Sequence, residues 1–365
     1  MHVAAIFVAK WLEGKRGQSD TMTIGDGSGL VPAILHEYGS LTRAALKGYL
    51  PQREPRRYLY DLLNDYPQRG GKMMRPSLCI ATARLFGAPI EQAIRTAVAI
   101  ELLHNALLIH DDIEDGSEKR RGAPTLHVLH GVPLALNAGD MLSLMALRPL
   151  LDNRAIIGDG LALRIIEETE RMARECAEGQ SMELGWRHYN ATEIGAGEYL
   201  EMVLKKTCWL ATIYPIRVGA LIGSRGTADL EAFLRFGFFL GAAFQIQDDL
   251  LNLVGDERYG KERDGDLWEG KRTLMLIQVF RESTPDERER LAAALGGPRE
   301  SRSLSEVQWM RSLFEKYDAT GYARKMAQEL AGAALHEVGL LSAGLPESRD
   351  KSFLEQLAIW VIERT

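Results

Sequence analysis

The chain has little that would tie it to a membrane, a disulfide framework or a nucleic acid. Its three cysteines in 365 residues, Cys79, Cys176 and Cys208, are odd in number and show neither close pairing nor metal-ligand spacing. They read as reduced structural thiols of a cytoplasmic protein. No stretch reaches the roughly 18 to 20 apolar residues that span a bilayer. The segment Met1 to Val8 is weakly apolar but lacks a basic start and a cleavage site, so it does not read as a signal peptide. A net charge of −6 argues against general nucleic-acid binding, which needs a concentrated basic face. Alternating strand patterns are scarce too, and no internal repeat or low-complexity linker divides the chain.

What is present is helix. With 46% apolar and 26% charged residues the chain can bury a large core. Residues 1–29 are rich in Gly, Ser, Asp and Thr from position 13 onward and read as a flexible leader. Beyond it, apolar spacing with Gly or Pro punctuation predicts helices over 30–50, 56–66, 74–86, 89–115, 132–151, 155–180, 197–222, 228–253, 273–281, 287–295, 303–317, 321–338 and 349–363. This describes a single all-helical domain, residues 30–365, with ligands held between the helices of a central bundle. The longest irregular stretch, 255–271, alternates acids with Lys261, Arg263, Lys271 and glycines. A lid over a charged ligand has this composition, and so does a mobile surface loop.

Chemistry concentrates in residues 101–127, ELLHNALLIHDDIEDGSEKRRGAPTLH, where an apolar helical run ends in Asp111, Asp112 and Asp115. Spacing i, i+1, i+4 puts the three carboxylates near one face. The helix dipole disfavours acids at a C-terminus, so either water or a cation must offset them. Magnesium is the natural candidate, because it takes oxygen ligands and keeps several waters. A second run, GAAFQIQDDLLNL, ends in Asp248, Asp249 and Asn252 at the same spacing, 137 positions later (248 minus 111). Two accidental solvated patches are a poor explanation for that repetition. Facing each other, the five carboxylates form jaws that multivalent cations would close, and through them a polyanion would bind.

Basic residues suit a second anion. In RGGKMMRP, Lys72 and Arg75 stand three apart at a helix start, where free amides favour anions and glycines permit close approach. Alone, that sequence is also a plain surface turn. Arg120 and Arg121 follow the first acidic group directly, and Lys206, Thr207, Gln245, Lys261 and Lys271 can complete a ring of donors. His104 lies seven residues before Asp111, nearly on the same face, and fits either a core histidine or an anion-site donor. His110 and His127 read as structural. Met141 and Met145 read as core, with an apolar tunnel lining as the alternative.

In combination, GGKMMRP, HNALLIHDDIEDGSEKRRGAPTLH, GQSMEL, KKT, FQIQDDLLN and YGKERDGDLWEGKRT resemble the motifs of trans-type (head-to-tail) isoprenyl diphosphate synthases, the polyprenyl synthetase family. The resemblance runs from about Leu30 to the C-terminus. It implies an all-α, isoprenoid synthase-type helical bundle around a central cavity, usually as a homodimer. It also implies that Asp111, Asp112 and Asp115 face Asp248 and Asp249 across that cavity. These aspartates would bind magnesium, three ions with substrate bound, and so hold an allylic diphosphate. Arg120, Lys206, Thr207, Gln245, Lys261 and Lys271 match contacts to that diphosphate; Lys72, Arg75, His104 and Arg121 match the isopentenyl diphosphate site. The implied reaction is ionisation of the allylic diphosphate, attack by the double bond of isopentenyl diphosphate, and loss of a proton.

Asn252 departs from the commoner aspartate, and with IEDGS at 113–117 this pattern is similar to geranylgeranyl diphosphate synthases of the eukaryotic type. In the family the residues four and five before the first motif often set chain length, here Leu107 and Ala106. Small Ala106 implies growth beyond farnesyl to a twenty-carbon product, with farnesyl and longer chains as alternatives. A class I terpene cyclase would share the acidic groups but not need Lys72, Arg75, His104 and Arg121. A non-catalytic partner subunit would not need both acidic groups intact.

Overall fold

Apolar residues recur every three to four positions, and in the computed structural model, which describes residues 29–254 and 264–364, they wind into helices around two apolar clusters. In the first half the main helices are α1 (Leu30–Leu46), α2 (Asp61–Gln68), α3 (Met74–Leu85), α4 (Ile90–Asp115), α5 (Val132–Met145) and α6 (Asp159–His188). The second half holds α7 (Ala196–Val203), α8 (Tyr214–Gly223), α9 (Ala232–Val254), α10 (Leu274–Glu282), α11 (Pro285–Gly296), α12 (Leu304–Lys316), α13 (Ala319–Leu341) and α14 (Arg349–Glu363). Short polar side chains start several of them. Thr284 with Glu287 and Ser303 with Glu306 form capping boxes at α11 and α12, and Thr273 and Ser348 cap α10 and α14.

The centre is built from α3, α4, α8 and α9, with α6 and α13 packed around them. α3 lies between α4 and α8, α5 packs on α4, and α13 packs along α9. Phe236, Phe238 and Phe239 of α9 are almost fully buried, and each such side chain contributes about 3 kcal/mol of burial at most. Cys79, Cys176 and Cys208 are all free and buried. Burial pushes the Cys176 thiol up to about 12, which keeps it protonated and inert. Among the described residues no helix is long and apolar enough to cross a membrane.

Five local features depart from the expected helices. Between α7 and α8 the chain does not stay α-helical but widens to π-helical winding over Leu204–Ile213. α6 runs to His188 instead of stopping near 180, because Gly179 inside it serves close packing and not termination. The predicted 132–151 helix breaks at Ala146, and part of the irregular 255–271 stretch is a short helix, Gly265–Glu269. Finally, Lys119–Arg120 (β1) and Ala123–Pro124 (β2) pair antiparallel. Arg121 and Gly122 turn between them with φ of +54° and +78°, the doubly left-handed geometry that a two-residue hairpin favours.

Candidate active site

α4 stops at Asp115 because Gly116 adopts φ +64°, a left-handed C-cap that leaves the three aspartates on the last turns. They do not share one environment. Asp112, its side chain 1% exposed, faces the α2 side, where it accepts from Tyr66 Oη at 2.5 Å and from Nε of Arg120 at 2.9 Å. A second Arg120 nitrogen also donates to it. Asp111 and Asp115 instead meet Glu183 of α6, with one oxygen from each of the three within 4.8 Å of the others. Asp112, expected among the metal ligands, lies outside the trio, bound to Arg120 and Tyr66, and Glu183, which the aspartate spacing does not mark, stands within it.

Cations offset this trio. Lys206 lies 3.2 Å from Asp111 and also pairs with Glu183. Lys271 lies 2.6 Å from Asp115 and 3.0 Å from Glu269, and Arg187 donates to the other Asp115 oxygen at 2.5 Å. Burial still pushes the Asp115 carboxyl up to about 6, against the pull of Lys271 and helped by repulsion from Asp111. Clustered carboxylate oxygens at this separation are the hard donor set that magnesium takes, so the residues present fit a divalent ion.

The second acidic group belongs to the same region. Asp249 accepts from Tyr199 Oη at 2.8 Å and from Gln245 Nε2 at 2.7 Å, while Gln245 Oε1 accepts from Thr207 Oγ1 at 2.8 Å. Burial, then repulsion from Asp266, pushes Asp249 up to about 8. Lys206 and Thr207 are neighbours on the π-helical segment, so one contacts the first acidic group while the other reaches the second through Gln245. The groups therefore converge and do not point to separate surfaces. Asp248 pairs with Arg364 at 2.7 Å. Asn252, in place of a carboxylate, accepts from the Asp266 amide through Oδ1 at 3.0 Å and from the Asp264 amide through its main-chain oxygen at 3.1 Å. It thus anchors the start of the Gly265–Glu269 helix, and a polar cleft lined by Ser117, Arg120, Asn252, Asp266, Glu269 and Lys271 lies alongside.

A cationic region adjoins. Among the described residues Arg75 Nε is buried without a hydrogen-bond partner, and Arg121 donates to the Tyr66 carbonyl at 3.0 Å. Gly71 (φ +150°) lets the Arg121 guanidinium lie against the backbone, since a Cβ there would come within 3.1 Å of it. Burial first, then Arg75, Arg121 and Arg120, hold His104 well below the ordinary imidazole range, so it is neutral at pH 7. Lys72, lowered by burial and by Arg364, stands 5.6 Å from the Trp360 ring centroid. Lys261 lies outside the described residues. Ala106 is fully buried beside a cluster containing Ala135 and Ala138, whereas Leu107 packs against the other apolar cluster.

Arg187, Tyr66, Tyr199 and Arg364 stand outside the motifs that mark the site in the sequence, and Glu183 stands inside GQSMEL with no role marked by its spacing. Glu183 did carry a signal. The buried positions of α6 are 162, 165, 169, 172, 176, 179 and 183, so an acid occupies the apolar stripe.

A family profile described as Polyprenyl synthetase matches residues 56–313. The geranylgeranyl pyrophosphate synthase of Geoglobus acetivorans is 33% identical over 340 residues, covering 92% of this chain and 99% of that one. Among solved structures, geranylgeranyl pyrophosphate synthetase from Pyrococcus horikoshii Ot3 matches with a TM-score of 0.80 at 32% identity, over 92% of this chain and 98% of that one. Polyprenyl synthase from Caulobacter crescentus CB15, complexed with calcium and isoprenyl diphosphate, gives a TM-score of 0.80 at 27% identity, over 94% and 99%.

Proposed function

The chain belongs to the polyprenyl synthetase family, and from that premise we propose that it is a head-to-tail prenyltransferase joining isopentenyl diphosphate to an allylic diphosphate. The observation that supports this most directly is the paired reach of Lys206 and Thr207 to the two acidic groups, beside a separate region of buried cations. One anion site with metal-binding acids would serve ionisation alone; a second serves a second diphosphate.

Asp111 and Asp115 on one side and Asp248 and Asp249 on the other would hold magnesium, whose positive charge would favour departure of the diphosphate. Lys206, Lys271, Arg120, Thr207 and Gln245 ring that position and hydrogen-bond the departing oxygens as their charge grows. Arg75, Arg121 and Lys72 hold the isopentenyl diphosphate, and neutral His104 donates to it without adding charge. Fixing both partners removes most of the orientational cost of the bimolecular step. Apolar side chains below the aspartates, Leu103 and Leu107 among them, keep water from the allylic cation.

The product we assign is geranylgeranyl diphosphate. Ala106, Ala135 and Ala138 belong to one apolar cluster, and small side chains at these positions leave room that a bulky residue at 106 would take. We also assign a homodimer, because Val128, Leu129, Val132, Leu136, Leu144 and Leu147 leave an apolar surface uncovered around α5; light scattering should give twice the chain mass.

The test is incubation with magnesium, labelled isopentenyl diphosphate and a series of allylic primers. A twenty-carbon diphosphate is expected. No elongation with any primer would reject the reaction, cyclic hydrocarbon without elongation would favour a cyclase, and a fifteen-carbon or longer end product would reject only the length. Ala106→Phe should shorten the product, and an unchanged distribution would remove Ala106 from the floor.

A further inference from the structure

α6 brings a cation to the first acidic group as well as an acid. Glu183 and Arg187 are one helical turn apart and so face the same way. Glu183 completes the trio, and Arg187 donates to Asp115 Oδ1 at 2.5 Å. The Asp115 side chain has 0% exposure and that of Arg187 19%, so water does little to screen the contact. Lys271 already stands 2.6 Å from the other oxygen. Asp115 therefore has a cation on each oxygen before any ion arrives. Arg272 and Arg302 lie near enough to repel Arg187, and among the described residues Asp115 is the carboxylate that pairs with it.

A divalent ion entering alone must evict an arginine from a buried carboxylate and add charge to a cluster that Lys206, Lys271 and Arg187 largely balance. An ion entering with a diphosphate faces a different balance, because the diphosphate brings its own negative charge and offers the displaced guanidinium a new partner. Resting on the metal reading above, we propose that Arg187 is a positioning residue, the resident counter-ion of Asp115, which makes divalent-ion binding depend on the diphosphate. In the substrate-free protein it holds the carboxylate in place; on loading it yields Oδ1 to the ion.

The experiment measures manganese binding to the metal-free full chain by calorimetry, with and without inorganic diphosphate, for wild type, Arg187→Gln and Arg187→Lys. Thermal denaturation verifies that each is folded. Without diphosphate, Arg187→Gln should bind manganese about ten-fold more tightly than wild type, the lower end of what a charge-assisted hydrogen bond is worth. Arg187→Lys, which keeps the charge, should stay close to wild type, and with diphosphate all three should converge. Arg187→Met, retaining the apolar stem, carries the same expectation as the glutamine variant should that one not fold. Equal or weaker manganese binding by the folded, uncharged variants overturns the counter-ion role and leaves Arg187 structural. Absence of manganese binding to wild type even with diphosphate would sink the metal reading itself, and this inference with it.

Discussion

Arg120→Ala separates the two roles that the first aspartate group combines. Arg120 and Asp112 have side chains 10% and 1% exposed, and among the described residues Arg120 gives the Asp112 carboxylate two of its three hydrogen bonds. Removing it leaves a buried carboxylate with only Tyr66 Oη. Breaking a buried ion pair from one side costs about 3–5 kcal/mol, and the retained tyrosine hydroxyl puts the expectation near about 3. Asp112→Asn in the same background removes the stranded charge, so the double variant should recover at least about 1 kcal/mol. Urea unfolding of metal-free protein measures all three. Because Asp112 lies outside the trio, Asp112→Asn alone should leave manganese affinity in the presence of diphosphate within about three-fold of wild type, whereas Asp111→Asn should lose it. Additive losses in the double variant, or equal loss of metal by Asp112→Asn and Asp111→Asn, would refute the division.

Further outcomes follow from the same geometry. Gly179→Ala sets a Cβ 2.2 Å from the Lys206 amide nitrogen, so α6 must back away from the π-helical segment; a loss of about 1–3 kcal/mol with a fall in kcat/KM is expected, and unchanged urea midpoints would contradict it. Asp111→Ala should abolish turnover while far-ultraviolet dichroism stays native, and retained activity would remove Asp111 from metal binding. Asp249 has its carboxyl raised from the ordinary 3.8 to about 8. Between those values the folded state holds a proton that the unfolded chain releases. Its stabilising contribution in metal-free protein is thus full below the unfolded value and is lost as pH rises through about 8. Asp249→Asn should flatten that decline, and an unaltered pH dependence of the urea midpoint would contradict it.

Much of the fold was legible because apolar spacing and polar caps agree, as at α14, where the predicted and observed bounds are both 349–363. The end of α6 was not legible, since glycine marks both helix ends and close approaches, and only the packed backbone of Lys206 shows that Gly179 is the second kind. The π-helical winding at Leu204–Ile213 left no trace in spacing, because Cys208–Ile213 are all buried and a continuously buried run carries no period to read. At the site, residue types and spacing located the two acidic groups and the cations between them. They could not tell that Asp112 turns to Arg120, since neighbouring helical positions diverge by about 100° and the packing of Tyr66 decides which one faces the cavity. Nor could they place Arg187 or Arg364, whose partners are distant in sequence.

The most direct test is crystallographic. Anomalous scattering from manganese, in crystals grown with an unreactive thio-analogue of an allylic diphosphate, should place metal ions between Asp111 and Asp115 on one side and Asp248 and Asp249 on the other, with the diphosphate bridging them. Metal bound at only one of the two groups, or a diphosphate seated away from both, would contradict it.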